Sequence, residues 1–137
     1  MRATRDYALM ETASIWAQRS TCSRLAVGCV ISRDGRILVQ GYNGAPSGMD
    51  HCVHELDEPC TTAEHAERNA IAWAARNGVR LEGAEMHVTS SPCLACAMAV
   101  INSGIVRVRW KHQFRDKAGI ELLTEAGIDN RIYKYDS

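Results

Sequence analysis

The sequence predicts an α/β fold in which a mixed sheet is covered by helices on both faces. Three observations carry that prediction. Two short apolar runs flank Asp34-Gly35, a pair that favours a tight hairpin, so the sheet begins antiparallel. Beyond the hairpin, helical and strand patterns alternate, which implies crossover connections and parallel pairing. The chain has 137 residues and shows no linker, repeat or low-complexity stretch, so residues 1–137 read as a single domain around one core.

Taken in order, Tyr7, Met10, Ser14 and Ala17 recur at three- and four-residue spacing and predict a first helix from about Arg5 to Arg19. Leu25 to Ile31 and Ile37-Leu38-Val39 are the hairpin strands. From Asn43 to Thr62 no apolar period exists and turn formers dominate, which predicts a long loop. The alanine-rich stretch Ala63 to Arg76 ends at Asn77-Gly78, as a capped helix does. Met86 to Thr89 follows as a strand. Pro92 opens the next helix at its first turn, where a missing N–H costs nothing, and Gly104 closes it. Ile105 to Trp110 alternates Val106 and Val108 with Arg107 and Arg109 and predicts a strand with one wet face. A helix over Lys117 to Ala126, stopped by Gly127, and a strand over Arg131 to Tyr135 complete the pattern.

Sixteen basic and sixteen acidic residues cancel, so no nucleic-acid partner is expected. The longest apolar run, Cys93 to Ile101, is half the ~18 residues of a membrane span, and no membrane partner is expected. Met1 to Asp6 leads into no apolar signal core, which makes a reducing cytoplasm the expected compartment and the six cysteines thiols or metal ligands. Cys29, in an apolar strand, reads as core. Trp16, Trp73 and Trp110 read as packing residues.

Two segments carry chemistry: His65-Ala66-Glu67 and Pro92-Cys93-Leu94-Ala95-Cys96, each opening a predicted helix. Cysteines at i and i+3 of one turn can reach a single tetrahedral metal ion. A βαβ arrangement brings the starts of successive crossover helices to the same edge of the sheet, which lets His65 supply a third ligand. One His and two Cys leave a fourth position open, the mark of a catalytic rather than a structural zinc. The helix N-termini offset the thiolate charge, and Glu67, two residues beyond His65, is placed to shuttle protons. A lone Cys-x-x-Cys would equally be a redox pair or half of a structural site; the two segments together form the signature of zinc nucleobase deaminases.

The chain resembles the deoxycytidylate (dCMP) deaminases of bacteria and phages, within the cytidine deaminase superfamily. Besides the zinc segments, the likeness rests on Arg19-Ser20-Thr21-Cys22-Ser23-Arg24 ahead of Val27-Gly28, Gly41-Tyr42-Asn43-Gly44, His65 to Ala70, Thr89 to Cys96 and Ser103-Gly104-Ile105. The resemblance implies a cytidine-deaminase-like three-layer α/β fold with a mixed five-stranded sheet between helices. It implies conversion of dCMP and water to dUMP and ammonia, with water activated on Zn2+ attacking C4 and Glu67 moving the protons. It further implies that Asn43 contacts the sugar or base, that the Ala66 backbone holds the base carbonyl and that the Ser91 carbonyl accepts from the amine. A homo-oligomer, commonly a hexamer, with dCTP and dTTP as effectors, is also implied.

Where many relatives carry a tyrosine after the fourth strand, this chain has Trp110 to Arg115, and the 5′-phosphate is assigned instead to Arg24 and Arg115. Cys22, Cys52 and Cys60 are expected to hold a second, structural zinc, with His54 ahead of His51 as the fourth ligand. Metal ligation would supply the energy that the apolar-poor loop lacks, and some phage and bacterial relatives resemble this arrangement. The competing functions are deamination of cytidine, dCTP, a 5-substituted dCMP or a tRNA adenosine and, from another class, a non-catalytic zinc-stabilised binding module. Such a module has no need for Glu67 beside an open coordination position.

Overall fold

The computed structural model describes residues 2–22, 25–50 and 64–135. Thr4 accepts a hydrogen bond from the Tyr7 N–H and opens α1 (Arg5–Ala17). Strands β1 (Gly28–Arg33) and β2 (Arg36–Tyr42) pair antiparallel around Asp34 and Gly35, whose φ angles of 54° and 78° are those of a two-residue primed turn. The chain then alternates: α2 (Ala66–Arg76), β3 (Glu85–Ser90), α3 (Leu94–Asn102), β4 (Arg107–His112), α4 (Ala118–Glu125) and β5 (Asp129–Ile132). The five-stranded sheet has the order β2-β1-β3-β4-β5. β1 is antiparallel to both neighbours, whereas β3, β4 and β5 run parallel, so the sheet is mixed as the sequence predicts.

Strand alternation divides the core between two layers of helices. Cys29, Ile31, Met86, Val88, Val108 and Trp110 meet Ala66, Ala70, Ala74, Ala97, Val100 and Leu123 of α2, α3 and α4. On the opposite face Val30 meets Leu9, Met10 and Ala13 of α1. Cys29 and Trp110 are buried as expected, but Trp73 is 58% exposed, because the buried stripe of α2 runs through Ala66, Glu67, Ala70 and Ala74. No helix among the described residues is long and apolar enough to cross a membrane.

The expected wet face of the fourth strand is not wet. Arg109 is buried and Arg107 largely covered, while Val106 is the exposed residue. The reason lies in α1, whose buried residues are Asp6, Leu9, Met10 and Ala13 rather than the stripe anticipated from Tyr7. Asp6 accepts from Arg107 at 2.9 Å and from the buried His87 at 2.8 Å, and Arg107 also pairs with Glu85. Arg109 lies 3.1 Å from Asp129. Burial pushes the Asp6 carboxyl up, but the hydrogen bonds from Arg107 and His87 outweigh it and hold the group at about 2.

Other boundaries shift for local reasons. Leu25 to Val27 precede β1 instead of belonging to it. The fifth strand starts at Asp129, two residues before the expected Arg131, because Gly127, at φ 80°, ends α4 and returns the chain to the sheet at once.

Candidate active site

The site forms where α2 and α3 begin. Both helices follow parallel strands, α2 after β2 and α3 after β3, so their N-termini reach the same edge of the sheet. Gly41 lets α2 come close: a Cβ there would press on the Ala66 carbonyl and the Ala70 side chain. His65 is the N-cap of α2, and its N–H donates to Glu64 at 3.0 Å. Glu64 also pairs with Arg68 at 2.7 Å and so braces the first turn. Cys93 is the N-cap of α3, its sulfur accepting from the Cys96 N–H at 3.5 Å. Pro92 therefore stands one residue before the cap and not in the first turn, since the cysteine itself satisfies a free N–H of the helix start.

The His65 Nδ1 lies 3.5 Å from Cys93 Sγ and 3.3 Å from Cys96 Sγ. All three donors lie within 4.8 Å of one another. A tetrahedral zinc with bonds of about 2.0–2.3 Å sets its ligands roughly 3.5 Å apart, so the donor set and its spacing fit that ion. Hydrogen bonds from Cys96 and His65 pull the Cys93 thiol down to about 3, and the same contact with Cys93, with burial, drives Cys96 upward. The contact with Cys93 also raises His65.

Glu67, 4% exposed, lies on the first turn of α2. Burial pushes its carboxyl up to about 7, against the opposing pull of its own backbone N–H and of His65. It lines a small cavity of about 80 Å3 with Leu25, Val27, Asn43, His65, Ala66, Ser90, Ser91, Cys93 and Phe114. A larger cavity of about 700 Å3 lies between Trp16, Tyr42 and Trp73, but none of its described lining residues is a histidine, cysteine or carboxylate. His65, Glu67 and Cys93 all border the smaller one.

Of the residues singled out from the sequence, the structure brings His65, Ala66, Glu67, Asn43, Ser91, Cys93 and Cys96 together. Asn43 also has a structural task, accepting from the Val27 N–H at 2.8 Å and donating to the Leu25 carbonyl. The second N–H of its amide has no partner among the described residues. Arg115 is exposed on the connection after β4, next to Phe114. Arg24, Cys52, His54 and Cys60 lie outside the described residues, and so does His51; Cys22 is half-buried, its N–H donating to Ser20 at 3.2 Å. Leu25, Val27 and Phe114 escape a reading of the sequence because they sit in irregular segments without periodicity.

Residues 3–111 match the family described as the cytidine and deoxycytidylate deaminase zinc-binding region. The chain is 39% identical over 124 residues to ComE operon protein 2 of Bacillus subtilis, covering 87% of this chain and 66% of that protein. It is 32% identical to the deoxycytidylate deaminase of Saccharomyces cerevisiae, over 98% of this chain and 46% of the yeast protein, so it spans about half the length of that relative. Among solved structures, the dCMP deaminase of cyanophage S-TIM5 in complex with dCMP and dUMP superposes with a TM-score of 0.89 at 31% identity, covering 97% of this chain and 99% of that one. The shared order of sheet and helices, the His-Cys-Cys cluster and the match over residues 3–111 place this chain in the cytidine and deoxycytidylate deaminase family.

Proposed function

We propose that residues 1–137 form one deaminase domain that converts dCMP and water to dUMP and ammonia. The observation that carries this is the meeting of His65, Cys93 and Cys96 with the buried Glu67 at one small, largely apolar cavity. The likeness to the S-TIM5 enzyme, which binds dCMP and dUMP, supports the choice of substrate. His65, Cys93 and Cys96 would hold a Zn2+ ion, which when bound supplies Lewis-acid activation of a water.

Glu67 accepts the proton of that water as its oxygen adds to C4 of the base, and delivers the proton to N3. It then takes the remaining proton from the C4 hydroxyl and passes it to the departing amine, so that C4=O forms as C4–N4 breaks and ammonia leaves. Burial raises the carboxyl above the ordinary carboxylate range, which suits it both to accept and to give back a proton. The Ala66 N–H holds the base carbonyl and the Ser91 carbonyl accepts from the amine. Asn43 offers its remaining N–H to the sugar or base, and Arg24 and Arg115 hold the 5′-phosphate. Leu25, Val27 and Phe114 keep bulk water from the ring.

The proposal includes a second, structural zinc on Cys22, Cys52, Cys60 and His54, assembly into a homo-oligomer, control by dCTP and dTTP, and a cytoplasmic location. These rest on the cysteine pattern and the family resemblance. An ultraviolet assay of purified, zinc-loaded protein against dCMP, cytidine, dCTP, 5-substituted dCMP and an adenosine-containing tRNA stem tests the substrate. dCMP is expected to be used best; preference for another member of the set overturns that choice, and no turnover of any overturns the enzyme reading.

A further inference from the structure

Leu25 and Phe114 are the two half-exposed large apolar side chains at the mouth of the cavity, 41% and 42% accessible. Both stand in irregular backbone, and in both cases a polar side chain holds that backbone. Asn43 grips Leu25 and Val27. On the other segment, the Ser91 N–H donates to the His112 carbonyl at 2.8 Å, and the Ser91 hydroxyl accepts from the Phe114 N–H at 2.9 Å. Ser91 is 1% exposed and stands two residues before Cys93. The turn that delivers a sulfur to the metal cluster therefore also fixes, 23 residues away, the start of the connection between β4 and α4.

We propose that the Ser91 hydroxyl is a positioning residue that acts through Phe114, setting the aromatic wall against which the pyrimidine ring of the substrate lies. This rests on the dCMP reading above and goes beyond the contact assigned to the Ser91 carbonyl. An aromatic ring offers a flat apolar surface to a flat base, and its energy depends on where the ring stands. β4 has ended at His112, so among the described residues no ladder hydrogen bond holds Phe114; the bond to Ser91 is the anchor that the structure supplies. A wall of this kind touches the ring equally before and during the reaction, so its displacement weakens binding and leaves the chemical step nearly unchanged.

Steady-state kinetics of the zinc-loaded enzyme with dCMP, calorimetric binding of dUMP and amide hydrogen exchange at Phe114 test the latch. Ser91→Ala is expected to raise KM for dCMP and Kd for dUMP about three- to tenfold, the loss of one neutral hydrogen bond, with kcat within about twofold and zinc content unchanged. Ser91→Thr, which keeps the hydroxyl, is expected to restore the wild-type values. In a Phe114→Ala background, Ser91→Ala should add nothing, because the hydroxyl has no wall left to position. The Phe114 amide should be protected from exchange in the wild type and exposed in Ser91→Ala. Should Ser91→Ala fail to fold, Ser91→Cys carries the same comparison, being close in size and a poor acceptor.

Unchanged KM and Kd in Ser91→Ala, multiplicative effects in the double variant, or a fall in kcat at constant KM would each overturn the proposal. If the wild type does not turn over dCMP, the substrate reading fails, and exchange at Phe114 still decides whether the latch exists.

Discussion

Nε2 of His87, in the middle of the sheet, lies 2.8 Å from Oδ1 of Asp6 in the first turn of α1, across 81 residues of sequence. The ring is fully buried and its Nδ1 has no hydrogen-bond partner among the described residues, so the neutral tautomer that donates from Nε2 satisfies the site best. This pair ties the outer helix to the sheet.

The first prediction concerns acid. Burial lowers His87 below 6.5, against the pull of Asp6, so the folded protein keeps it neutral where the unfolded chain binds a proton. The stability that neutral His87 contributes is then lost as pH falls below 6.5. Asp6, held at about 2 rather than 3.8, adds stability that persists until pH falls through 3.8 toward 2. Glu67, held at about 7 rather than 4.5, acts in the opposite sense to His87 between pH 7.5 and pH 5.5, so the His87 contribution is read as a difference: in urea denaturation at these two pH values, acidification should cost the wild type more stability, or gain it less, than it does His87→Gln. Equal changes in the two proteins would remove His87 as a source.

Glu67→Gln keeps the shape of the residue and removes the proton carrier. Turnover of dCMP should fall by at least about a hundredfold while zinc content stays at the wild-type level. Loss of zinc in this variant would place Glu67 in the coordination shell instead.

His65→Ala, Cys93→Ala and Cys96→Ala should each lose the metal of this site and unfold at lower temperature. Gly119 offers a subtler test. A Cβ at this position in α4 would run into the Pro92 carbonyl and the Cys93 backbone. Gly119→Ala should destabilise the protein by about 1–3 kcal/mol and weaken zinc binding, measured by chelator competition. Unaltered metal affinity would mean that α4 does not support the Cys93 turn.

Recognition of the 5′-phosphate predicts that dCMP is used far better than deoxycytidine and that the preference fades with salt. Arg24→Ala should raise KM for dCMP by about tenfold or more and leave the poor nucleoside rate unchanged. Arg115→Ala tests the second cation in the same way. Equal losses on both substrates would indicate a role in folding.

Metal analysis of replete protein should find close to two zinc ions per chain, falling to one in Cys52→Ser with activity metal intact. One ion per chain in the wild type would refute the second site.

The hairpin, the alternation that builds the parallel strands, and the two helix starts were legible in the sequence because each depends on neighbours a few residues apart. Asp34-Gly35 selects its turn by backbone sterics, and Cys93 and Cys96 share one helical turn whatever surrounds them. Strand alternation separates the two faces of β4 but does not say what lies over each. That Arg107 and Arg109 are covered was decided only when α1 brought Asp6 against the sheet and β5 brought Asp129. Tertiary structure likewise decided the convergence of His65 with the two sulfurs, and the Ser91 hold on Phe114. These contacts join segments 23 to 31 residues apart, and local periodicity carries no information at that range.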